Sequence, residues 1–170
     1  MGNPMGYPAR LLVLTTLLLA SLAQADSLKP GDKVPDFTLP ANKGLAQSLH
    51  EATGSPVMLI WLGECYDCPE SIVRYQILAE SQKIEGLKGW FVWSSENPDN
   101  KPPKMRLPML MFSPELNNAW LFEERPAVML ISPDGHLDHL ILGDLAENYQ
   151  EVETTLMRWL SDTRDGYLVE

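Results

Sequence analysis

Residues 57–62, Val57-Met58-Leu59-Ile60-Trp61-Leu62, form an unbroken apolar run between Pro56 and Gly63. A strand with one wet face alternates polar and apolar residues. An uninterrupted run of this length instead predicts a strand covered on both faces, in the middle of a sheet with a layer on each side. The next residues are as restrictive. Cys65-Tyr66-Asp67-Cys68 stands just beyond Gly63-Glu64, and Pro69 comes directly after it. Proline suits the first turn of a helix, where its missing N–H would have had no partner. Ile72, Tyr75, Leu78 and Ala79 then fall on one helical face. The chain therefore reads as a buried strand, two cysteines and a helix, in that order.

The remaining segments fit around this unit. Residues 29–40 are punctuated by Pro30, Gly31, Pro35 and Pro40 and predict a turn followed by extended backbone, with Phe37 and Leu39 pointing to one side. Residues 90–93 predict a second short buried strand. Residues 94–104 are too rich in Pro and Asn for helix or strand. Residues 107–112 predict a third strand, limited by Pro108, and 114–122 a short helix. Residues 127–132 predict a fourth strand, and Pro133-Asp134-Gly135 a tight turn into a fifth over 136–142. A closing helix is expected over 147–160, with Val152, Leu156, Trp159 and Leu160 on one face. From Ser161 no periodicity is visible. The expected architecture is α/β, a mixed central sheet covered on both sides and flanked by helices, with an N-terminal extension. There is no internal repeat and no linker, so residues 26–165 are expected to form one domain and 166–170 a tail.

The leader decides how the cysteines are read. Arg10 precedes the apolar run 11–20, and Ala23-Gln24-Ala25 supplies a small–x–small cleavage pattern, so residues 1–25 are expected to be a signal peptide. The run is shorter than the ~20 residues that span a bilayer comfortably, which leaves an uncleaved anchor as the alternative. No cysteine stands near the cleavage pattern, as a lipid anchor would require. Removing the leader takes Arg10 alone among charged side chains, so the formal charge of −10 becomes −11. Such acidity argues against nucleic acid and anionic membrane surfaces as partners.

The two cysteines of the sequence both survive cleavage. In an oxidising compartment a pair first suggests a structural disulfide. Stabilisation by a disulfide grows with the loop it closes, however, and two intervening residues close almost none. The spacing points to a bond that opens and closes. A thiol at a helix N-terminus meets the positive end of the helix dipole, which lowers its pKa and makes a nucleophile. Cys65, ahead of the helix, is the attacking candidate, and Cys68, in its first turn, the resolving one. A zinc site would need more ligands than His50, His136 and His139 readily provide. If residues 135–142 are extended, His136 and His139 lie on opposite faces.

Strand, C-x-x-C and helix together resemble the thioredoxin fold, so the expected α/β architecture is thioredoxin-like. Pro30-Gly31-Asp32-Lys33-Val34-Pro35-Asp36-Phe37-Thr38-Leu39 is similar to the opening of the TlpA-like and AhpC-TSA-type (peroxiredoxin-like) branch. Residues 125–137, Arg125-Pro126 through His136-Leu137, resemble the stretch that carries the cis-proline and the hairpin after it. The resemblance covers roughly residues 28–160. It implies a thiol–disulfide oxidoreductase with Pro126 packed against the disulfide and Arg125 offering its backbone to a bound polypeptide. It further implies protein thiols or disulfides as substrates, a membrane thiol carrier as the source of electrons, no cofactor, and a monomer in the periplasm.

Departures from the pattern refine this expectation. Glu64 stands where Trp is common, and Tyr66-Asp67 where proline is common. Glu64 and Asp67 place negative charge beside Cys65, which disfavours the thiolate and opposes the helix dipole. The dithiol is then a better reductant. The peroxidase branch expects Thr three residues before its reactive cysteine, and Leu62 occupies that place. Two alternatives stand beside the reductase. One is a copper(I) chaperone using Cys65 and Cys68 with Met105, Met109, Met111 and a histidine, although Met109 and Met111 sit at strand period, where methionines most often pack inside. The other is a noncatalytic module of the same fold.

Overall fold

A computed structural model describes residues 28–63, 69–94, 101–112 and 126–167. Its centre is a five-stranded sheet ordered β5-β4-β3-β6-β7. The middle strand β3, Val57–Gly63, is buried at all seven positions. Strand β4, Lys88–Trp93, runs parallel to it on one side, with Leu59 opposite Trp90 and Ile60 opposite Phe91. Strand β5, Met109–Met111, continues in parallel beyond β4. On the other side β6, Ala127–Ile131, is antiparallel to β3, and β7, Leu137–Leu142, is antiparallel to β6. The predicted mixed sheet with a central apolar strand is therefore what forms.

The apolar run is explained by its two faces. Met58, Ile60 and Leu62 point into a cluster with Ile72, Tyr75, Leu78 and Ala79 of α2, Pro69–Ser81, and Val152, Leu156 and Trp159 of α3, Tyr149–Tyr167. Val57, Leu59 and Trp61 point the other way, against Leu28, Val34, Phe37, Leu39, Leu49 and Ala52. Each face of β3 thus buries apolar area at ~25 cal/mol per Å², and neither tolerates a polar residue.

The second face is covered by the N-terminal segment. It contains two short antiparallel strands, β1 at Thr38–Leu39 and β2 at Gln47–Ser48, and a single-turn helix, α1 at Leu49–Ala52. Neither β2 nor α1 has a counterpart among the elements expected from the sequence. This segment also spans the sheet from edge to edge. At β7 the Gly31 amide donates to Leu137 O at 2.7 Å, and the Leu137 amide returns a bond to Asp32 O at 2.9 Å. At β5 the Met111 amide donates to Pro40 O at 2.8 Å, and Asn42 N to Met109 O at 2.9 Å. The outer edge of β5, and that of β7 at its first residue, which would otherwise invite pairing with another chain, are thereby occupied.

Three expectations need correction. The closing helix does not stop near Leu160 but continues to Tyr167, so the stretch after Ser161 is helical despite its lack of periodicity. Thr163 Oγ1 donates to Trp159 O at 2.7 Å, which ties the added turns to the docked part of the helix. The fifth strand does not alternate regularly, because a bulge between Leu130 and Ile131 on β6 leaves Asp138 without an opposite number. Asp138 then accepts a 2.7 Å bond from Trp159 Nε1 on the α3 side, while His139 pairs with Leu130, which belongs to that same side. The parity on which opposite faces for His136 and His139 rested is therefore broken. The third strand is also shorter than expected, three residues rather than six. The helix expected over 114–122 lies outside the described residues.

Candidate functional site

The expected site lies where β3 gives way to α2. Gly63, the last residue of β3, has φ +58°. That left-handed conformation suits glycine because it has no Cβ to clash. The pairing with β4 slips between Trp61 and Gly63, so the chain leaves the sheet at this point. Six residues later Pro69 opens the 13-residue helix α2, with Glu70 in its first turn. Glu64, Cys65, Asp67 and Cys68 fall between these two anchors and lie outside the described residues, as does Arg125.

Pro126 is described, and the sheet register brings it to this end of the molecule. Because β6 is antiparallel to β3 with Ala127 opposite Trp61, the residue before Ala127 lies beside the exit of β3. The Pro126 carbonyl accepts a 2.9 Å bond from Gly143 N, the residue that follows β7. Gly143 has φ +103°. Three chain segments, those ending at Gly63, starting at Pro126 and turning at Gly143, therefore meet at one end of the sheet. The sequence singles out Pro126 but not Gly63 or Gly143. Both glycines follow an apolar strand, and that position was the available signal.

A second set of residues supports this end from beneath. Tyr75, two turns into α2 and fully buried, donates its hydroxyl to Leu145 O at 3.0 Å. Burial pushes its phenol far above the ordinary value, with the neighbouring Tyr149 adding to the shift. Tyr75 is thus a protonated donor throughout the physiological range. Tyr149, at the start of α3, packs edge-on against it with ring centroids 5.4 Å apart, and Arg74 Cζ sits 3.7 Å above the Tyr149 ring. Asp144 Oδ1 accepts from the amides of Ala146 at 2.7 Å and Glu147 at 3.0 Å, fixing the turn that leads into α3.

The methionines divide as packing predicts. Met109 is fully buried and Met105 nearly so, both in the cluster against α2 and α3, and Met111 is partly buried beside them. Trp61, Trp90 and Trp93 are core aromatics. Among the described residues no group of three His, Cys, Asp or Glu could hold a metal ion, and no helix is long and apolar enough to cross a membrane. A cavity of about 310 Å³ opens at the opposite end of the sheet, between Lys33, Asp36, His50, Thr53 and Asp134. Its carboxylates are already engaged. Asp36 accepts from His50 N at 2.8 Å, and Asp134 accepts from Ser132 Oγ and pairs with His136 Nδ1 at 3.0 Å. We therefore locate the candidate site at the β3–α2 end, where three segments converge, and not in the cavity.

No protein-family model and no curated protein matches this sequence. Solved structures do. A thiol:disulfide interchange protein DsbE from Chlorobium tepidum superposes with TM-score 0.66 at 22% identity, over 79% of this chain and 99% of that one. The fold is that of thioredoxin. Peroxiredoxin Q of Xanthomonas campestris aligns with TM-score 0.64 at 15% identity, over 78% and 99% of the two chains. The exposed lipoprotein thioredoxin of Streptococcus pneumoniae aligns with TM-score 0.59 at 18% identity, over 75% and 99%. Within this thioredoxin-fold chain, Leu62 is buried in β3, pointing into the α2 and α3 cluster.

Proposed function

We propose that this protein is an exported thiol–disulfide oxidoreductase that reduces protein disulfides in the periplasm through Cys65 and Cys68. One observation carries the reading: the Cys-x-x-Cys segment connects the buried central strand to the N-terminus of a 13-residue helix, at the end of the sheet where the register brings Pro126. A helix N-terminus stabilises a thiolate through its free N–H groups and dipole. The solved structures named as thiol:disulfide interchange proteins and thioredoxins share this fold, which supports the chemistry without choosing a substrate. Peroxiredoxin Q shares it as well, but an apolar, buried Leu62 stands where a peroxidase would place a threonine.

The reaction proceeds through two thiols in sequence. The Cys65 thiolate attacks one sulfur of a substrate disulfide, forms a mixed disulfide and expels the other substrate sulfur as a thiolate. The Cys68 thiolate then attacks Cys65 Sγ, releases the second substrate thiolate and closes the Cys65–Cys68 disulfide. Two electrons pass to the substrate, and a membrane-borne dithiol of lower potential must return them. Pro126 and the Arg125 backbone border the groove that receives the substrate chain. Glu64 and Asp67 raise the cost of the Cys65 thiolate, which favours the reducing direction.

The experiment is to express the Cys68→Ala variant in the periplasm and identify the proteins it holds in mixed disulfide. Captured polypeptides that Cys65→Ser does not capture support the oxidoreductase. Absence of capture together with tight copper(I) binding by the wild type would replace it with a copper chaperone, and absence of both with a noncatalytic module. A measured potential near that of the strong periplasmic oxidants, about −120 mV, would reverse the proposed direction of electron flow.

A further inference from the structure

We infer that Tyr75 is a positioning residue, a strut that fixes how far helix α2 stands from the 143–145 turn to which Pro126 is bonded, and so sets the fit of a polypeptide substrate. The inference rests on the thiol–disulfide reading, while the geometry of the strut is independent of it. Helix α2 begins one residue after Cys68, and Tyr75 lies on its buried face, two turns in. Its hydroxyl donates to Leu145 O at 3.0 Å. Two residues earlier, Gly143 donates its amide to Pro126 O at 2.9 Å. Only residues 143–145 therefore separate a side chain of α2 from the carbonyl of the candidate groove proline.

The strut is braced. Tyr149 meets the Tyr75 ring edge-on at 5.4 Å, and Arg74, next to Tyr75 on α2, stacks 3.7 Å over the Tyr149 ring. Asn148 Nδ2 donates to Leu142 O at 2.8 Å and closes the same turn from its far side. The Tyr75 bond is buried, so water cannot replace it without a rearrangement of the turn. A bond of this kind holds geometry more than it adds stability. Its loss leaves Leu145 O seeking a partner, and the 143–145 turn is free to shift, with Pro126 attached to it.

The test uses Tyr75→Phe, which keeps the ring and its contact with Tyr149 and removes the hydroxyl. Two disulfides are compared as substrates of the full chain: insulin, a polypeptide, and a small aromatic disulfide that needs no groove. The expected result is a KM for insulin raised about fivefold, equivalent to ~1 kcal/mol, with the small disulfide reduced within about twofold of the wild-type rate, below the ~0.5 kcal/mol floor for a lost hydrogen bond. Amide hydrogen exchange at Gly143 should quicken by a similar factor while amides of the β3–β4 ladder keep their protection. Unchanged exchange at Gly143 overturns the strut. Faster exchange at Gly143 with an unchanged insulin KM overturns its role in the groove, and equal quickening across the sheet shows general loosening and overturns the local claim. A wild type that reduces neither disulfide, or a Cys65→Ser variant that still reduces them, overturns the thiol–disulfide reading and leaves the exchange measurement to decide the strut by itself.

Discussion

On one face of the sheet Met58, Ile60 and Leu62 meet two regular helices, while on the other Val57, Leu59 and Trp61 meet residues 28–52, which hold two-residue strands and a single helical turn. Both faces are apolar throughout. They differ in how the cover is held. A helix satisfies its own backbone, so α2 and α3 need only an apolar stripe to dock. The N-terminal segment satisfies its backbone internally only in part, through the β1–β2 pair and local turns, and it borrows partners from the two sheet edges, Leu137 on β7 and Met109 and Met111 on β5. Side-chain anchors do the rest: Phe37 packs edge-on to Trp90 with centroids 5.9 Å apart, and Leu39 is almost wholly buried. An irregular cover can thus close a hydrophobic face when sheet edges supply its hydrogen bonds, and it guards those edges in return.

The sharpest way to break this comparison is Phe37→Ala. If the segment is integral to the fold, the substitution costs about 3–5 kcal/mol, as for other buried aromatics, and concentration-dependent association accompanies it as the edges open. Urea unfolding and light scattering read both, and a loss below ~1 kcal/mol without association would reduce the segment to a loose appendage. The helical face is probed by Gly89→Ala. A Cβ there would stand 2.6 Å from Ala79 Cβ and 3.3 Å from Leu107 Cδ1, so α2 must shift. Overpacking of this kind costs about 1–3 kcal/mol, and an unchanged urea midpoint would mean that the helix rides freely on the sheet.

Trp159→Phe tests the bulge. It removes the 2.7 Å bond to Asp138 while keeping an aromatic in the cluster, and about 1 kcal/mol is expected. Asp138→Asn should add little to this loss in the Trp159→Phe background, and fully additive losses would show that the two side chains are not coupled. The smallest effect belongs to the hairpin at the cavity end. Asp134 is held below the ordinary aspartate value by its hydrogen bond from Ser132, and further by His136. Its folded value is depressed, so the stabilisation is present above the unfolded value of 3.8 and is lost as pH falls through the lower folded one. Because the side chain is largely exposed, the effect is small. Asp134→Asn should flatten the acid limb of the stability curve between about pH 4 and the folded value, leaving the shape of the neutral region unaltered, as urea titrations at stepped pH would show.

Much of the helical face is legible in the sequence. Ile72, Tyr75, Leu78 and Ala79, and likewise Val152, Leu156, Trp159 and Leu160, recur at helical spacing, and all are buried where expected. The hairpin at Pro133-Asp134-Gly135 is legible too, because Gly135 adopts φ +88° where a side chain would be strained. The segment over 38–52 leaves no such pattern, since its elements are too short to show a period and owe their shape to the sheet they cross. The extension of α3 to Tyr167 is invisible for a related reason: its last turns have no repeating apolar face, and tertiary docking of the earlier turns carries them. The bulge at Asp138 breaks an alternation that sequence reasoning has to assume.

The cysteine pair of the candidate site stands openly in the sequence, as does its place after a buried strand and before a helix. Composition and order are local properties, and a strand covered on both faces announces itself by having no polar residue. The sequence alone therefore determined the central strand, the helix after it and the two thiols between them. Only the tertiary structure brought Pro126, Gly143 and Leu145 to the same end of the sheet, bonded the Tyr75 hydroxyl to Leu145 O and laid residues 28–42 across the face away from α2 and α3. Tyr75 and Leu145 are 70 residues apart in the chain. Contacts of that range are set by strand register and by where backbone groups find partners, and no short-range pattern encodes them.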